Sequence, residues 1–196
     1  MGSAKRFSQI GITALLVLSL LTAVPIPALA EAVRAYIYQE GRYNTGTIDQ
    51  RSSESWAQIN QLGSYNEAHT YQTGAENWSV QTQTGTANRA LAEQAGRGNL
   101  ATQTQLGDGN SLAGWQYGDY NTLLQNQVGS GNQATAWILG SRNTVSQTQL
   151  GAAHSAETRI TGSSNLVSQV QYGEATVVEV VHVGDNTRIE IVRVGL

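Results

Sequence analysis

The sequence predicts an all-β fold: a parallel β-solenoid of about seven 22-residue coils, two strands per coil, following an N-terminal signal peptide. Three observations predict it. Glycine returns every eleven residues without a missed step, at Gly63, Gly74, Gly85, Gly96, Gly107, Gly118, Gly129, Gly140, Gly151, Gly162, Gly173 and Gly184. Between these glycines, constrained positions alternate with variable ones, the period of a strand whose successive side chains leave opposite faces. A second period of 22 is superimposed, because Gln81, Gln103, Gln125, Gln147 and Gln169 alternate with Ala92, Gly114, Ala136 and Thr158 at the same offset.

The elements follow in chain order. Residues 1–30 carry a basic pair, Lys5 and Arg6, an apolar run, Pro25 and Pro27, and then Ala28-Leu29-Ala30. This is the pattern of a secretory signal peptide cleaved before Glu31, and the run is shorter than the roughly 20 residues that a spanning helix needs. The expected product is a secreted chain, residues 31–196, with no integral membrane segment after cleavage. Its frame holds fifteen units with neither insertion nor deletion, from about Val33 to Leu196.

Each unit reads N-x-A-x-x-x-Q-x-G-x-x. The Gln column holds Gln61, Gln72, Gln83, Gln94, Gln105, Gln116, Gln127, Gln149 and Gln171, and the Asn column holds Asn66, Asn77, Asn88, Asn99, Asn110, Asn121, Asn132, Asn143 and Asn165. A small or apolar residue such as Ala57, Ala68, Ala90 or Val145 follows two places after the Asn position. A strand of six or seven residues and a tight turn at the Gly account for the unit. Gly, Asn and Thr at this density oppose the eleven-residue helical alternative. In a stack of coils spaced about 4.8 Å apart, inward Gln and Asn can hydrogen-bond along the axis as amide ladders. A buried amide left unpaired costs about 1–3 kcal/mol, so the frame must not slip.

Composition excludes several function classes. Charged residues are 13% of the chain, its net charge is −3 and it contains no Cys. That leaves no basic footprint for nucleic acid, no disulfide framework and no thiolate metal site. No cofactor is expected. His69, His154 and His182 fall in three different columns, which favours structural or solvated roles over metal ligation. Glu157 and Glu179 fall one coil apart, but nothing else in the sequence builds a catalytic pocket around them. Calcium binding by a Gly-rich repeat needs a periodic Asp, and Asp49, Asp108, Asp119 and Asp185 are read as out of phase. The chain is therefore not expected to be an enzyme. Trp115 and Trp137 are outward in the frame; cross-coil stacking is the favoured reading of them, and an adhesive role the alternative.

The last two units are Val- and Ile-rich, with His182 and Arg193 in the Gln column. His182, Arg188 and Arg193 are the candidate nucleation or anchoring residues, relaxed constraint at a terminal strand being the equal alternative, and Val177, Val181, Val183, Val192 and Val194 are expected to point outward. With no capping element visible, both ends of the solenoid are expected to be open to end-to-end polymerisation.

The segments NLATQTQLGDGN and NTLLQNQVGSGN resemble the repeat of the curlins, subunits of curli-type bacterial amyloid fibres, and the likeness covers residues 33–196. It implies a fibre subunit of the biofilm matrix at the bacterial cell surface, acting in adhesion. Its partners would be itself or another curlin subunit, together with an outer-membrane secretion pore and accessory proteins. Gly in nearly every unit and Arg193 in the Gln column are more similar to the minor, nucleating curlin than to the major one. The chain departs from the family in lacking a clear leader between the signal peptide and the first repeat. The rival expectation is a monomeric ice- or surface-binding solenoid. Its outward column Thr82, Thr104, Asn126, Thr148 and Val170 is an imperfect threonine row.

Overall fold

The computed structural model describes residues 33–196; the expected signal peptide lies outside the described residues. The fifteen strands are β1 (Arg34–Arg42), β2 (Thr45–Ser53), β3 (Trp56–Ser64), β4 (Glu67–Ala75), β5 (Trp78–Thr86), β6 (Arg89–Arg97), β7 (Leu100–Asp108), β8 (Ser111–Tyr117), β9 (Thr122–Ser130), β10 (Gln133–Leu139), β11 (Thr144–Ala152), β12 (Ser155–Thr161), β13 (Leu166–Glu174), β14 (Val177–Val183) and β15 (Arg188–Val194). Odd strands form one parallel sheet in the order β1-β3-β5-β7-β9-β11-β13-β15. Even strands form the other, β14-β12-β10-β8-β6-β4-β2. The fold is a parallel β-solenoid of about seven stacked 22-residue coils.

Register is constant along the rod. Gln61 pairs with Gln39 and Gln83, and Gln127 with Gln105 and Gln149, always at a separation of 22 residues. Backbone hydrogen bonds also continue through the corners. Trp56 N–H donates to Asn77 C=O at 2.9 Å and Tyr65 N–H to Arg42 C=O at 3.0 Å, so few main-chain groups are left to water at the turns.

Burial follows the two-residue period. From Ser55 to Val180 the Asn, Ala and Gln columns face the interior, while the positions between them face outward; beyond Val180 the same columns are half-buried or, at Arg193, exposed. The two sheets are complementary across that narrow interior. Each mid-strand Gln of the odd sheet opposes a small residue of the even sheet, and Gly114 makes room for Leu123. A Cβ at Gly114 would stand 2.2 Å from Leu123 Cδ2. This pairing of large with small is the physical content of the 22-residue period.

The turns need two unusual conformations. Gly63 has φ +117°, and a Cβ there would lie 2.1 Å from Gly85 O. Any side chain would drive two backbones apart, which is why the column holds Gly. Ser52, in the same column, does not adopt a positive φ. The second demand falls two residues after each Gly, in a column of mixed composition. Tyr43, Glu54, Tyr65, Glu76, Ala87, Tyr120, Arg142, Ala153, Ser164, Ala175 and Asn186 all have φ between 48° and 58°. Left-handed geometry at non-Gly residues costs about 1–2 kcal/mol each, offset here by the hydrogen bonds that each corner makes.

Candidate assembly surface: ladders and terminal strands

Three glutamine ladders run along the axis. In the odd sheet, Nε2 of Gln39, Gln61, Gln83, Gln105, Gln127 and Gln149 each donates to Oε1 of the Gln one coil on, ending at Gln171, at 2.5 to 3.0 Å. Gln81, Gln103, Gln125, Gln147 and Gln169 form a second ladder in that sheet, at 2.7 to 3.1 Å. The even sheet carries a shorter one, Gln50–Gln72–Gln94–Gln116. The remaining Nε2 proton crosses to a main-chain carbonyl of the opposite sheet, as from Gln105 to Arg89 O at 3.0 Å and from Gln103 to Leu91 O at 2.8 Å. Both donors of these buried amides are therefore used.

The Asn columns run with opposite polarity. Asn44, Asn66, Asn88, Asn110 and Asn132 form one ladder, and Asn77, Asn99, Asn121, Asn143 and Asn165 the other. In each, Oδ1 of one Asn accepts the N–H and the Nδ2 of the Asn one coil on, as from Asn88 to Asn66 at 3.1 Å. The second Nδ2 proton goes to the carbonyl of a turn glycine, as from Asn66 to Gly85 O and from Asn110 to Gly129 O. Gln amides thus present oxygen toward the N-terminal coils and Asn amides toward the C-terminal coils. Each orientation is anchored by a main-chain partner, a carbonyl for Gln and an N–H for Asn. The two sets of side-chain dipoles oppose each other along the rod.

Where a ladder stops, its last rung turns to the backbone. Gln116 precedes Ile138 in its column, and its Nε2 donates to Asn121 O at 3.0 Å. Gln171 precedes Arg193, and its Nε2 donates to Thr176 O at 2.9 Å. His154 sits in the Asn column and copies an Asn. Its N–H donates to Asn132 Oδ1, and its Nδ1 accepts the Thr176 N–H at 3.2 Å. Its Nε2 lies 3.3 Å from Leu150 O. The accepting role of Nδ1 places the proton on Nε2. That the three His fall in different columns does not by itself reveal this substitution. Its signal was that His154 lies 22 residues after Asn132.

The Asp residues require a correction. Asp108, Asp119 and Asp185 do share one column, directly after the Gly. The Oδ1 atoms of Asp108 and Asp119 accept the N–H of Thr86 at 2.8 Å and of Arg97 at 2.9 Å, and Asp185 accepts from Ser163 in the same way. They close turns between coils, while Asp49 lies on a strand beside Arg51. No group of three potential metal ligands stands together among the described residues.

The candidate terminal residues do not converge. Arg188 faces solvent and pairs with Glu190, while Arg193 is exposed on β15 in the column of Gln171. His182 on β14 is half-buried, and its Nε2 is buried without a hydrogen-bond partner. Val177, Val181, Val183, Val192 and Val194 are each at least 61% exposed. Glu157 and Glu179 are register partners, and Arg159 pairs with Glu157. Trp115 and Trp137 stack at 4.0 Å between ring centroids, as do Trp56 and Trp78 at 4.2 Å in a tilted arrangement. Burial, reinforced by a 2.7 Å hydrogen bond from its hydroxyl to Glu93, pushes the Tyr117 phenol up to about 12. No helix among the described residues is long and apolar enough to cross a membrane. The chain matches no protein-family model, no curated protein and no solved structure.

Proposed function

We propose that this protein is a structural, self-assembling subunit of an extracellular curli-type fibre. It would be secreted to the bacterial cell surface, contribute to adhesion and biofilm matrix, and have no enzymatic activity or cofactor. The observation that carries this reading is the unbroken 22-residue register of its backbone and amide ladders. Such a stack presents at each end a strand edge that a further coil can continue. Among the described residues no strand pairs with the outer edges of β1, β2, β14 or β15. The unpartnered His182 Nε2 and the exposed Arg193 occupy ladder positions on β14 and β15. An incoming Gln or Asn side chain would meet them there, which favours these strands as the site that nucleates growth of itself or of another curlin subunit. Export through an outer-membrane pore with accessory proteins belongs to the same proposal.

Dilution of the chain lacking residues 1–30 from denaturant should give fibres with a reflection at about 4.7–4.8 Å along the axis. A monomer that stays stable at high concentration overturns this reading in favour of a monomeric ice- or surface-binding solenoid. Substoichiometric addition to a second curlin should shorten that protein's lag phase if the chain nucleates.

A further inference from the structure

The two outer faces of the solenoid differ in charge. On the even sheet the outward positions hold Asp49, Arg51, Glu67, Arg89, Glu93, Glu157, Arg159 and Glu179, several of them in ion pairs. On the odd sheet, the outward positions between the Asn and Gly columns of β3, β5, β7, β9, β11 and β13 hold no Asp, Glu, Lys, Arg or His. They carry Thr, Leu, Val, Ser, amides and aromatics, among them Trp78 and Leu106 at 48% exposure and Leu124 at 41%. Charge returns on that face only in β1 and β15, at Arg34, Glu40, Arg188 and Glu190.

From this segregation we infer that the odd-sheet face is a lateral interface, and that its occupant is the same face of a second copy. Six strands spaced ~4.8 Å, each about seven residues long at ~3.3 Å per residue, make a face of roughly 650 Å². Two such faces together bury about 1,300 Å², inside the size class of stable protein–protein contacts, about 1,200–2,000 Å². A face without charges brings no ion to desolvate and no like charge to oppose its twin. Its rows repeat at the strand spacing, so two copies can interdigitate as sheets packed about 10 Å apart. The opposite face cannot pair with itself as easily, since its ion pairs would lose water. A charged partner would find nothing complementary on the odd sheet. This contact goes beyond end-to-end growth and does not depend on it.

The test places like charges at the centre of the face, as T104E with N126E, and uses T135E on the even sheet as the control. Circular dichroism should report the same β-content in all three proteins. At micromolar concentration the wild type and T135E should sediment as dimers. T104E/N126E should be monomeric, its dissociation constant raised about a hundredfold or more by the facing carboxylates. If fibres form, wild-type filaments should appear as laterally joined pairs in electron micrographs, and those of the double variant as single filaments. Single wild-type filaments, a monomeric wild type, or equal disruption by T135E overturns the lateral interface. So does a wild-type monomer that instead adheres through this face to an uncharged insoluble polysaccharide. Single filaments would leave the fibre proposal standing, and dimers that never elongate would overturn the fibre proposal alone.

Discussion

The coils of β5 to β9 and those of β12 to β15 share one backbone register but are filled by different chemistry. In the first region the interior is built on buried Gln81, Gln83, Gln94, Gln103, Gln105, Gln116 and Gln127, every one of them hydrogen-bonded. In the second, Gln169 and Gln171 end their ladders, and Ile160, Val167, Val178 and Val180 pack with Ile189 and Ile191. The glycine corners are shared by the two regions: Gly162 and Gly107 make the same close approach to the next coil, and Asn165 bonds Gly184 O as Asn88 bonds Gly107 O, while Thr176 and Thr187 replace Asn in the second region and keep only the N–H donated one coil back. The columns at the corners therefore hold the register, and the mid-strand columns only have to fill the space. A laddered core adds specificity, because a slip would strand each amide. An apolar core adds burial and tolerates a slip more readily.

The sharpest test of this division substitutes the corners. Gly107→Ala puts a Cβ 2.0 Å from Gly129 O at φ +117°, so it should cost about 3 kcal/mol or more in urea unfolding, beyond the usual range for a point change. Gly184→Ala meets only the His182 ring at 3.5 Å and should be less costly, limited to backbone strain of about 1–3 kcal/mol. Equal losses would mean that the corners do not owe their rigidity to the coil that follows.

Next in size is the ladder itself. Gln105→Ile removes a middle rung and strands, within the ladder, the Gln83 Nε2 proton and the Gln127 oxygen, at about 2–6 kcal/mol for two unsatisfied groups. Gln116→Ile acts at a ladder end, where the following residues in the column are already Ile138 and Ile160. It strands only the proton of Gln94 from within the ladder and should cost about half as much. Similar destabilisation by both would show that the cost does not follow the number of ladder groups left unpaired.

Two smaller changes probe positions where the chain departs from its own pattern. His154→Asn should restore a normal rung between Asn132 and Thr176 and raise the melting temperature, by about 1 kcal/mol of added stability for one improved hydrogen bond. Ala153→Gly relieves left-handed strain at φ 55° and should stabilise by about 0.5–1 kcal/mol, net of the extra freedom of an unfolded Gly. A loss in either case would mean that packing at that corner outweighs the backbone argument.

The smallest effect is in pH. The Tyr117 phenol is raised from 10.0 to about 12, so the folded state holds that proton after the unfolded chain has released it. Its contribution is complete below pH 10 and is lost as pH rises from there to about 12. Tyr117→Phe should therefore flatten the alkaline end of the stability profile, and at neutral pH it should lose only the hydrogen bond to Glu93.

The period, the solenoid class, the two unlike strands of each coil and the inward columns were all legible in the spacing of residues. All of these follow from spacing alone, because a 22-residue repeat without insertions leaves one register in which like side chains meet. It also marked Gly63, Gln105 and Asn110 as members of ladders or turns, since their identities recur. Tertiary structure decided what identity conceals. The left-handed column was marked only by a turn and by Gly98, Gly109 and Gly131, because Tyr65, Ala87 and Arg142 share a backbone angle and nothing else. The role of His154 depended on its Nδ1 meeting an N–H one coil away, and the phase of Asp108, Asp119 and Asp185 acquired meaning only through the amides that they accept. The opposed polarities of the Gln and Asn ladders were likewise settled by three-dimensional partners. A side-chain amide can point either way along a rod until the backbone offers a carbonyl to one and an N–H to the other.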